Sequence, residues 1–147
     1  LLLLRTATWN GPLEPKTAAG KRWADRALGV VPVAIAMAAI LEMHRQVGGH
    51  RTDDEGMATR GLMIRHLVMP NRVAGTREFT RWVASELSTT TYVNIMAQYH
   101  VDYRASEYSE IARAVTRGEF LEAMAWAEQA GLSNLDPRCV AQRDRMQ

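Results

Sequence analysis

Two short runs of apolar and β-branched residues, Gly61 to Met69 (GLMIRHLVM) and Thr90 to Met96 (TTYVNIM), bracket a stretch with helical periodicity. Gly61 opens the first run and Pro70 and Asn71 close it, so its length and boundaries predict a buried strand. The β-branched and aromatic content of the second run predicts another. Between them, Thr76 to Leu87 (TREFTRWVASEL) places Phe79, Trp82, Val83 and Leu87 on one helical face, with Thr76 as the expected N-cap. A strand, a helix and a strand in this order predict parallel pairing through a right-handed crossover, because the chain must return across the sheet before pairing again. The fold class is α/β.

The remaining elements follow from local signals. Ala27 to Leu41 (ALGVVPVAIAMAAIL) carries no charge, but it is shorter than the ~20 residues that a bilayer crossing needs, and Gly29 and Pro32 interrupt it. A buried helix with Pro32 in its first turn is expected from Val33 to Val47. Gly48 and Gly49 cap it, and the basic His44 and Arg45 lie in its last turn. Residues 50–56 (HRTDDEG) read as a polar loop, whose acids Asp53, Asp54 and Glu55 are expected to be solvated rather than metal ligands. A short helix is expected over Ser106 to Val115. Thr116 and Glu119 then form a capping box for a helix ending at Gly131, and a last short strand is expected over Leu132 to Leu135. The basic, weakly patterned residues 137–147 read as a flexible tail. Leu1 to Leu4 lack the basic region and apolar sequel of a signal peptide, so the sequence is expected to begin mid-protein. Its composition is that of an ordinary cytosolic chain, so a cytoplasmic protein is expected.

At 147 residues the chain is the size of one compact domain, and its 47% hydrophobic and 23% charged content fits an ordinary globular fold. A formal charge of +2 gives no reason to expect nucleic acid as a partner, and the patterning gives none to expect a membrane. The single cysteine, Cys139, can neither close an intramolecular disulfide nor supply the thiolates of a zinc or iron–sulfur site.

In parallel α/β folds ligands bind at the carboxyl ends of the strands. There Arg65 and His66 interrupt the first strand, and strand alternation sends them to opposite faces, one toward the ligand side and one toward the helices. A guanidinium inside a sheet is costly unless it meets an anion, whether a ligand or an acid such as Glu42, Glu86 or one in the 53–55 loop. After the second strand, Gln98, Tyr99, His100, Asp102, Tyr103 and Arg104 crowd together. They are suited to a ribose, an adenine or a carboxylate, and equally to a solvated loop in which Tyr99 and Tyr103 pack as lids.

These residues also carry a resemblance. The strings GLMIRHLVMPN from Gly61, the pair Gly75 and Thr76, TYVNIMAQYH from Thr91, YRASEY from Tyr103 and VTRGEF from Val115 occur in order, preceded by EMHRQVG from Glu42 to Gly48. Over about Ala36 to Asp136 the sequence resembles the C-terminal part of radical S-adenosylmethionine proteins related to the pyruvate formate-lyase activating enzyme. The resemblance implies the C-terminal portion of a partial (β/α)6, TIM-like barrel with parallel strands. In complete relatives a 4Fe-4S cluster, held by a CxxxCxxC loop, reduces S-adenosylmethionine to a 5′-deoxyadenosyl radical. The resemblance also implies that Arg65 and His100 contact S-adenosylmethionine. A guanidinium meeting the methionine carboxylate would contribute roughly 1.5–3 kcal/mol. Gln98 and Tyr99 are candidates for the same mouth.

The departure from the family is the cluster loop: no CxxxCxxC occurs, and residues 1–35 read as a divergent leader. The expectation is therefore a partial or truncated protein that keeps a weak half-site for the nucleotide cosubstrate and does not itself hold the cluster. The rivals are a non-catalytic α/β module whose exposed sheet edge pairs with a partner chain, and an unproductive fragment.

Overall fold

A computed structural model of the chain describes residues 18–146, and the side chains of residues 33–145. The chain divides into two compact units, Leu1–Ala39 and Ile40–Gln147. Helix α1 spans Ala18–Val47. It therefore begins well before the expected start, and Pro32 lies in its interior instead of its first turn. Val33 and Ile35 are also exposed rather than buried. Gly48 ends the helix with φ at +73°, and its N–H donates to the His44 carbonyl. Among the described residues no helix is long and apolar enough to cross a membrane.

The larger unit is mixed α/β. Strands β1 (Arg51–Thr52) and β2 (Ala58–Arg60) form an exposed antiparallel ribbon where a plain loop was expected. The Asp53 carboxylate accepts from the N–H groups of Glu55 and Met57 and so folds the connecting turn. Gly61 follows at φ +102°, where a Cβ would meet the Gly49 carbonyl oxygen at 2.1 Å, so only glycine fits this close approach.

Strands β3 (Met63–Leu67) and β4 (Tyr92–Met96) then pair in parallel, with Arg65 opposite Asn94 and Leu67 opposite Met96. Helix α2 (Thr76–Trp82), extended by a π turn over Val83–Leu87, makes the crossover that the helical periodicity predicts. Its N-cap is Gly75 rather than Thr76. The expected last strand is reduced to a parallel bridge between Val93 and Leu135. On the other side of β3, beyond the bridge from Leu62 to Gly49, no strand among the described residues is paired. The described strands thus form two small sheets and not a closed barrel.

Helix α3 (Arg117–Gln129) opens with the predicted capping box: Thr116 Oγ1 accepts from the Glu119 N–H, and the Glu119 carboxylate accepts from the Thr116 N–H. No helix forms over 106–115; a single 3-10 turn at Tyr103–Glu107 takes its place. The expected tail is instead helix α4 (Pro137–Met146), whose Cys139 is 2% exposed. One core gathers Ile64, Val68, Val83, Val93, Ile95, Phe120, Met124, Leu132 and Cys139. Each large side chain buried there contributes on the order of 1.5–3 kcal/mol of hydrophobic stabilisation. This core fixes the helical face of the β3–β4 pair; on the other face Met63 and Arg65 of β3 are exposed, while Asn94 of β4 is buried.

Candidate functional site

Alternation along β3 separates Arg65 from His66. His66 faces the helices. Its Nε2 lies 2.9 Å from Thr76 Oγ1, and its ring stacks on Phe79 with centroids 4.2 Å apart. Burial holds its pKa down at about 4, so the imidazole is neutral near pH 7. This also explains the changed cap of α2, because the Thr76 hydroxyl is engaged with His66. His66 is therefore a packed residue of the helical layer.

Arg65 lies on the opposite, exposed face. Its Nη2 donates to Met96 Sδ at 2.9 Å, and among the described residues it has no carboxylate partner. The acids considered as internal counter-charges are elsewhere; Glu42, for instance, pairs with Arg45 on α1. A thioether is a weak acceptor for a guanidinium. Arg65, Asn94, Met96 and Gln98 line a cavity of about 60 Å³, which Arg138 and Gln142 of α4 close from the other side. The volume suits a carboxylate-sized group and is far below that of pockets which enclose whole small molecules.

Of the four residues expected to bind the cosubstrate, Arg65 and Gln98 line this one cavity. Tyr99 is half-buried, and its hydroxyl donates to the Ile111 carbonyl at 2.8 Å. His100 is exposed in the segment beyond β4. Asn94 and Arg138 were not foreseen. Asn94 has a readable signal, as the one amide inside the apolar run of β4, but Arg138 lies in residues 137–147, whose weak pattern gives none.

A second arrangement lies at the loop after β3. Asn71 and Arg72 adopt φ of +54° and +61°, unusual for residues other than glycine. Acids hold this strained pair in place. The Asn71 N–H donates to Glu119, Arg72 forms a two-pronged ion pair with Glu122, and Arg113 bridges Glu119 and the Asn71 side chain. The Arg113 guanidinium holds the Glu119 carboxyl well below the usual carboxylate range. All of these charges are internally satisfied, so the cluster reads as a brace for the loop.

The ligand set of a 4Fe-4S cluster, which the resemblance implies for complete proteins of that group, does not fit the residues present. The one thiol, Cys139, is buried in the core and donates to the Asp136 carbonyl, and burial pushes its pKa up. Among the described residues no three His, Cys, Asp or Glu side chains are grouped to hold a metal.

No protein-family model matches the chain, and no solved structure matches it. An uncharacterized protein of Methanocaldococcus jannaschii is similar: 38% identical over 72 residues, which are 48% of this chain and 21% of that protein. The match thus spans about a fifth of the archaeal protein's length.

Proposed function

We propose that residues 36–136 are the C-terminal part of a partial (β/α)6 barrel of the radical S-adenosylmethionine type, related to pyruvate formate-lyase activating enzymes. In this reading they keep a half-site for S-adenosylmethionine, with Arg65, Gln98, Tyr99 and His100 as its residues. The observation that carries the reading is Arg65: an exposed guanidinium on a parallel strand, with a thioether for its only partner among the described residues, lining a carboxylate-sized cavity with Gln98. Such a group gains most from an anionic ligand. Arg65 would take the methionine carboxylate, and His100 would hydrogen-bond the ribose or the carboxylate. The chain does not hold the cluster, so reductive cleavage is not assigned to it alone. A single reduced thiol is consistent with a cytoplasmic setting.

Calorimetry with S-adenosylmethionine tests the half-site. Weak binding is expected, and it should be lost in Arg65→Ala and His100→Ala. Equal binding by both variants and the original chain would remove the assignment.

The second reading is an interaction module, favoured by the edge of β3 that has no strand paired along Met63–Leu67 among the described residues. Backbone donors and acceptors left along such an edge recruit another strand. Size-exclusion chromatography should then show self-association or partner capture; a monomer with cooperative unfolding counts against it.

A further inference from the structure

We infer that Asn94 and Arg138 complete the Arg65 cavity as a carboxylate-binding cleft, in which guanidiniums from β3 and α4 share one anion. This deepens the proposed half-site: it rests on that reading for the identity of the nucleotide and not for the anion.

Three observations converge. Asn94 is 8% exposed, lies opposite Arg65 in the strand register and lines the cavity, yet its amide has no hydrogen-bond partner among the described residues. The amide is not sealed from solvent, so its N–H can donate to a ligand atom in the cavity. Arg138 lines the same cavity from α4. Its backbone N–H donates to the Asp136 carboxylate, which caps the helix start, but its guanidinium is in no ion pair among the described residues. Both guanidiniums thus border one cavity, and neither is in an ion pair among the described residues. A carboxylate with two oxygens can accept from both guanidiniums and from the Asn94 amide, and about 60 Å³ is room for that group alone.

The chemistry named is therefore a small carboxylate, and the amino-acid end of S-adenosylmethionine is one source of it. The test compares three probes on the full chain and on Arg138→Gln, an exposed position whose replacement leaves the core intact. S-adenosylmethionine carries nucleoside and carboxylate, L-methionine the carboxylate without the nucleoside, and 5′-methylthioadenosine the nucleoside without the carboxylate. Arg138→Gln should weaken S-adenosylmethionine and methionine about tenfold and leave 5′-methylthioadenosine unchanged. Equal affinities for all three probes in variant and original chain overturn the cleft, as does an equal loss for all three. If methionine binds in an Arg138-dependent way and 5′-methylthioadenosine does not bind, the cleft stands and the nucleotide reading fails. Binding of 5′-methylthioadenosine without methionine gives the reverse, and no binding of any probe overturns both.

Discussion

Arg65 and His66 are neighbours in the chain, yet they live in different chemical worlds. His66 stacks on Phe79, meets the Thr76 hydroxyl and is kept neutral by burial. Arg65, one residue earlier, leans on a thioether at the rim of a small cavity. The sheet divides its labour between faces. The helical face, with Ile64, Val93 and Ile95 against Phe120 and Met124, holds the fold. The other face keeps polar groups that its own side chains leave unmet. A group that costs free energy where it stands is a better guide to binding than one that is already satisfied.

The sharpest way to break this contrast is truncation on each face. Ile95→Ala should cost about 2–5 kcal/mol in chemical denaturation, because it opens a cavity in a fully buried position. Met63→Ala, at a side chain 44% exposed, should cost well under about 1 kcal/mol. Equal costs would mean that the faces do not differ.

Next in size is the response to acid. The folded pKa of His66 lies below its unfolded value, so the unfolded chain takes up the proton first. The stability tied to the neutral ring is complete above about pH 6.5 and falls as pH drops toward 4, by up to about 3 kcal/mol. Unfolding curves across that window should show the loss, and His66→Phe should flatten it. An unchanged slope in the variant would deny that His66 is the buried titrating group. Glu119, whose folded pKa is also lowered, adds its own loss only below about pH 4.5.

A smaller effect is expected on the helix that backs the packed face. Thr116→Ala removes one half of the capping box and should lower the unfolding free energy by about 1 kcal/mol without altering ligand binding. A change in affinity would show that the two faces are coupled.

How much of this was legible beforehand depended on the range of the interaction involved. Strands β3 and β4, helix α2 and the Thr116–Glu119 box were readable because alternation, periodicity and capping are local signals. Helix α4 was not: PRCVAQRDRM shows little apolar pattern, and what anchors it is the burial of Cys139 in a core built from distant residues. Thr76 carried a cap signal that a tertiary partner, His66, overrode. Ser106 to Val115 carried enough helical propensity to mislead, while the chain there turns once at Tyr103–Glu107 and moves on. Arg65 and Gln98 could be picked from strand alternation and position. The closing wall of the cavity could not, because Arg138 meets it only through the docking of α4.

The most direct test follows Arg65→Gln with two readouts on one preparation, the unfolding free energy and the affinity for S-adenosylmethionine. Stability unchanged within about 0.5 kcal/mol, with affinity reduced about tenfold, is the predicted result. A destabilised fold, or an affinity that does not move, would place Arg65 among the structural residues and contradict the division between the two faces.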